Sequence, residues 1–79
     1  MNTEYKMIRR SVNAVKIGPD YFRVKDLADA QSTWNAARDS NSWGGRNAPD
    51  CTACVDRKLY RISYNGRIWD AGTGEEVVL

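Results

Sequence analysis

Histidine is missing from this 79-residue chain, and with it go the commonest general base and the commonest zinc ligand. Most catalytic constellations fall on that ground, so no enzymatic activity is expected. Cysteine is nearly as scarce. The only two, Cys51 and Cys54, form a single CxxC, and a structural zinc needs four ligands, so a site would have to be completed across a dimer. A redox pair belongs at a helix N-terminus beside a βαβ unit, whereas Cys51-Thr52-Ala53-Cys54 stands at the entrance to a strand. Two reduced or buried thiols are the expectation, with no metal and no cofactor.

Long apolar runs are lacking too. No stretch approaches the ~20 residues that cross a bilayer, and the opening Met1-Asn2-Thr3-Glu4-Tyr5 has no apolar signal-peptide core. A cytoplasmic protein without a membrane partner is expected, and in that compartment thiols stay reduced. Nor is there a strong excess of one charge. A net charge of +2 is far below that of a dedicated nucleic-acid binder, and it is unlike an acidic nucleic-acid mimic. Gly44-Gly45 and Gly72-Thr73-Gly74 lack the Lys-Ser/Thr of a phosphate-binding loop, which argues against nucleotide binding.

What is present suits one small domain spanning residues 1–79. Chains of this size bury about two thirds or less of the surface that the unfolded state exposes, so the core is thin. Three Trp, four Tyr and one Phe supply much of its area, since an enclosed aromatic buries roughly 150–250 Å². Eight of the twelve basic residues are Arg, the type that makes planar, bidentate contacts to carboxylates or phosphates.

The pattern predicts a strand over residues 4–17, with a slip or bulge near Ser11 to Ala14, and a turn at Gly18-Pro19-Asp20. A short strand from Tyr21 to Val24 then pairs with the first. Asp26 caps a helix whose apolar stripe is Leu27, Ala30, Trp34 and Ala37; propensity fails at Ser40-Asn41-Ser42, and Gly44-Gly45 ends it. Residues 40–51 read as a long polar loop. A third long strand is expected from Thr52 or Ala53 to Tyr64, followed by a two-residue turn at Asn65-Gly66 and a return from Arg67 to Asp70. That turn sets Tyr64 against Arg67, Ile62 against Trp69 and Tyr60 against Ala71 on an aromatic face, and Arg61 against Asp70 and Ser63 against Ile68 on a charged one. Glu75 to Leu79 can add an edge strand. The expected fold is α+β: an antiparallel sheet of four to five strands, in the order ββαββ, with the helix packed on its aromatic face.

Two groups of residues are candidates for binding. Trp43 and Arg46, in a glycine-flanked loop, are of the types that dominate interface hot spots; the other reading has Trp43 folded back over the core. Arg9, Arg10, Arg23, Arg57, Arg61 and Arg67 are expected on the solvent face of the sheet, where Asp56 and Asp70 would partly neutralise them. Tyr60, Ile62, Tyr64 and Trp69 would suit base stacking, yet a thin core needs their area.

In length, in the order strand, capped helix, loop, hairpin, and in the segment Tyr60-Arg61-Ile62-Ser63-Tyr64-Asn65-Gly66-Arg67-Ile68-Trp69, the chain resembles small single-domain proteins of bacteriophages and mobile elements, the anti-CRISPR proteins among them. The resemblance implies a stoichiometric, non-catalytic inhibitor that binds a host or CRISPR-associated protein complex, acting as a monomer or small homo-oligomer. The alternative is a small nucleic-acid-binding modulator that uses the same arginines on phosphates.

Overall fold

Gly18 bends the chain back on itself. In the computed structural model, which describes residues 12–79, strand β1 (Ala14–Ile17) turns through Gly18 at φ +57° into β2 (Asp20–Arg23). Then come α1 (Leu27–Asn41), β3 (Cys51–Val55), β4 (Lys58–Ile62), β5 (Ile68–Asp70) and β6 (Glu76–Val77). The six strands form one sheet in the order β2-β1-β3-β4-β5-β6, antiparallel at every pairing. The α+β class is as expected, but the sheet has six strands rather than four to five, and the order ββαββ extends to ββαββββ. Most of the strand expected over residues 4–17 lies outside the described residues; its end is β1.

One added strand comes from breaking what reads in sequence as a single run from Thr52 to Tyr64. The chain reverses at Asp56 (φ 53°) and Arg57 (φ 70°), and Val55 pairs with Lys58. Two central residues at positive φ make the type I′ geometry that matches strand twist. Asp accepts that conformation readily, but Arg pays roughly 1–2 kcal/mol for it. Neither residue carries the Asn-Gly signature that announces such a turn.

The second hairpin is shifted by one residue from expectation. Tyr60 pairs with Asp70, Arg61 with Trp69 and Ile62 with Ile68. Ser63 N–H donates to the Arg67 carbonyl at 2.9 Å, and Gly66 N–H to the Ser63 carbonyl at 2.8 Å. The loop is therefore the three residues Tyr64-Asn65-Gly66, with only Gly66 at positive φ (89°), as in a turn closed by a left-handed glycine. A slip of one residue turns the returning strand over. Ile68, expected on the charged face, is 1% exposed in the core, and Trp69 takes the opposite face beside Arg61.

The helix consequently packs on an aliphatic surface instead of an aromatic one. Val15, Ile17, Cys51, Ala53, Val55, Ile62 and Ile68 meet Ala30 and Trp34, the latter 0% exposed. Asp26 caps α1 as its sequence suggests, Oδ1 accepting from Asp29 N–H at 2.9 Å, and Asp29 Oδ2 accepts from Lys25 N–H at 2.8 Å. At the other end Ser42, not a glycine, takes the left-handed position at φ 54°. Its N–H reaches the Asp39 carbonyl at 3.3 Å and Trp43 N–H the Arg38 carbonyl at 3.0 Å, the paired bonds of a Schellman motif. That motif aims Trp43 back along the helix, where it stacks on Trp34 with centroids 5.9 Å apart.

Helix side chains also grip the hairpin loop. The Tyr64 carbonyl accepts from Trp34 Nε1 at 3.3 Å and Arg38 Nη1 at 3.0 Å, and the Gly66 carbonyl from Gln31 Nε2 at 2.8 Å. No described helix is long and apolar enough to cross a membrane.

Candidate functional site

With α1 on one face, strand alternation dictates what the other face presents. The register aligns two rows across it. One runs Arg23, Ala14, Cys54, Leu59; the other runs Tyr21, Lys16, Thr52, Arg61, Trp69, Glu76. Six strands at about 4.8 Å spacing make the second row roughly 24 Å long. Thr52 separates two aromatic–cation pairs in it, Tyr21 with Lys16 and Arg61 with Trp69, and the Lys16 ammonium lies 5.9 Å from the Tyr21 ring centroid.

Charge on this outer face is mostly positive. Lys16, Arg23 and Arg61 stand there with a single strand carboxylate, Glu76, which is 3.8 Å from Arg67. The helix side carries Asp26, Asp29 and Asp39. Arg61 was expected to meet Asp70 across the hairpin, and the register separates them. Asp70 lies on the helix side of the sheet, 3.3 Å from Lys58, and accepts from the Gly72 and Thr73 N–H groups at 2.8 and 3.0 Å. The Thr73 and Gly72 donors, then Lys58, hold its carboxyl below the ordinary aspartate value. Arg61 is left exposed, and among the described residues its side chain makes no ion pair or hydrogen bond.

Of the residues singled out in sequence, Arg23 and Arg61 share the outer face; Arg57 is exposed at the β3–β4 turn, and Arg67 lies beside Glu76. Arg9 and Arg10 lie outside the described residues. Trp43 and Arg46 are close in sequence but differ in setting: Trp43 is half-buried on Trp34, whereas Arg46 is exposed. The fold does not gather all these residues at one place. It puts Arg23 and Arg61 on one face, on strands separated by β1 and β3, and adds Lys16, Tyr21 and Trp69, which sequence reasoning had not put there. Lys16 was legible from its position between Val15 and Ile17; Trp69 depended on the register.

Next to Arg61 the outer face ends in a cleft of about 230 Å³ between the loop after α1 and the start of the β4–β5 hairpin. Thr52, Ser63, Tyr64 and Asp50 line it with Arg61. The Tyr64 ring, half exposed, lies against the Gly45 backbone, where an added Cβ would be 3.3 Å from Cε1.

The two thiols do not form a joint site. Three residues apart on β3, they point to opposite faces, Cys51 into the core and Cys54 outward, with exposures of 5% and 1%. Burial pushes the Cys51 thiol up to about 12. It raises Cys54 as well, against the pull of the Arg57 backbone N–H. Among the described residues no cluster of three or more acidic or thiol side chains is placed to hold a metal ion.

Neither protein-family models, nor curated proteins, nor solved structures match this chain.

Proposed function

We propose that this protein is a non-catalytic binder that works stoichiometrically, by laying the outer face of its sheet on an acidic surface of a partner protein complex. The observation that carries this reading is the exposed Arg61 guanidinium, unpaired among the described residues, on a face whose strand charges are otherwise Lys16, Arg23 and one carboxylate already beside Arg67. Guanidinium groups in such a setting are suited to bidentate carboxylate contacts and are enriched at interface hot spots. The sequence resemblance supplies the specific form: a phage or mobile-element protein that inhibits a CRISPR effector in the host cytoplasm.

Plaque formation by a phage on a bacterium with active CRISPR interference tests both parts. Expression of the chain is expected to restore plaques, and the double variant Arg23→Glu/Arg61→Glu to abolish that rescue while still folding. Absence of rescue against every effector type tried overturns the target class; undiminished rescue by the double variant overturns the site.

A second reading draws on Trp69, which flanks Arg61 in the same row and gives the face an aromatic neighbour for a nucleic-acid base. On that reading affinity for single-stranded DNA falls with added salt, with a log–log slope of about 0.7 per phosphate neutralised.

A further inference from the structure

The cleft beside Arg61 is already shaped for a ligand. Its hairpin wall is held by the two donors on the Tyr64 carbonyl, at 3.3 and 3.0 Å. Its loop wall is held by Gly44 N–H on Asn47 Oδ1 at 2.7 Å, Ala48 N–H on the Gly44 carbonyl at 3.0 Å, and the Gly18 N–H on the Asp50 carbonyl at 2.9 Å. A concavity fixed in this way spares a ligand the cost of ordering it.

Its polar groups are not equivalent. The Ser63 hydroxyl is committed to Asn65 Oδ1 at 2.8 Å, so it acts as wall. The Thr52 hydroxyl makes no hydrogen bond among the described residues, and neither does the Arg61 guanidinium. The site thus offers one fork-shaped cation, one hydroxyl donor and an aromatic side wall, and Asp50 also lines it.

Resting on the binder reading above, we propose that this cleft receives an aspartate or glutamate side chain of the partner protein, its carboxylate held in bidentate fashion by Arg61 and hydrogen-bonded by Thr52. A single guanidinium balances a single carboxylate, and the planar fork matches its two oxygens. Tyr64 supplies an apolar surface for the methylene of the incoming side chain. A nucleic-acid backbone fits less well: its run of phosphates is met elsewhere by grooves of several cations, and this cleft holds one, Arg61.

The test uses the full chain, labelled with ¹⁵N, and a blocked glycine peptide with one central Glu, against the same peptide with Gln. At millimolar concentration the Glu peptide is expected to shift the Arg61 side-chain Nε–H and the Thr52 and Tyr64 amides in a saturable way. The Gln peptide is expected to leave them unmoved, and Arg61→Gln to remove the response. Equal shifts with both peptides, or equal shifts at Arg23 and Arg57, overturn the proposal. So does inorganic phosphate binding more than about tenfold tighter than acetate, which would favour the nucleic-acid reading. If the peptide fails while Arg23→Glu/Arg61→Glu still abolishes phage rescue, the cleft inference falls and the binder reading stands; if the peptide binds and no rescue occurs, the cleft inference stands and the CRISPR target class falls.

Discussion

Single residues at left-handed backbone positions set the strain in this fold, and glycine occupies only some of them. Gly66 needs its missing side chain twice over, because φ is +89° and a Cβ would lie 2.7 Å from Asn35 Oδ1, a buried oxygen without a hydrogen-bond partner among the described residues. Gly74 has φ +79° and nothing within 4 Å. Gly74→Ala is therefore expected to cost about 1 kcal/mol of backbone strain, and Gly66→Ala about 2 kcal/mol or more, read from denaturant midpoints at constant slope. Equal costs would mean that Asn35 yields without penalty. The converse holds at Ser42, where φ is 54° and no glycine is present; Ser42→Gly is expected to stabilise by about 1 kcal/mol, less the entropy a glycine adds to the unfolded chain. Cys51 gives a pH signature. Its thiol rises in the fold from 9.0 to about 12, so the neutral form is favoured when folded. The stability tied to it is fully present below pH 9 and is lost as pH climbs from there towards 12. Denaturation of the parent and of Cys51→Ala across that window is expected to show the parent losing more; parallel curves would contradict the burial.

Elements were legible in sequence wherever local chemistry alone decides them. Asp26 and Asp29 marked the start of the helix, and Leu27, Ala30, Trp34 and Ala37 marked its buried stripe. Gly18 and Pro19 gave away the first turn. The reversal at Asp56-Arg57 was hidden, since an arginine at φ 70° is tolerated by the surrounding ladder and not favoured by its own chemistry. The Asn65-Gly66 turn was found but not its length, because Gly66 alone is left-handed and the loop is closed from outside by Trp34, Arg38 and Gln31. That one-residue difference decided the site: with the expected register Arg61 faces Asp70 and is neutralised, and with the observed one it is not. Trp34 joins helix, loop and sheet. Its truncation to Ala is expected to cost about 3–5 kcal/mol, a large part of the roughly 5–15 kcal/mol that holds a native domain, and calorimetry should show the Tm collapse or the transition vanish. A cooperative transition near the parent midpoint would show that the helix docks by other contacts.

On the scale of the whole molecule, the core cluster lies on one face of the sheet and the proposed binding surface on the other. The helix face holds the core, with Asp26, Asp29, Asp39 and Asp70 beside Arg38 and Lys58, while the outer face holds Lys16, Arg23 and Arg61 with Glu76. Such segregation predicts that the two properties respond to different substitutions. Trp43→Ala removes the ring stacked 5.9 Å from Trp34 and is expected to lower stability by about 2–3 kcal/mol, with any partner affinity retained once the domain is folded. Arg23→Glu/Arg61→Glu touches exposed side chains without ion pairs among the described residues, so its effect on Tm should stay within the ±0.5 kcal/mol usual for surface changes. Against an acidic partner surface it should cost more than about 2 kcal/mol of binding, because reversal adds repulsion to the lost contact. Arg46→Glu separates the loop from the sheet: the outer-face reading expects it to bind nearly as the parent does. If Arg46→Glu is the variant that abolishes binding while the sheet double variant binds normally, the interface lies on the loop after α1, and the cationic sheet face is only a solvated surface.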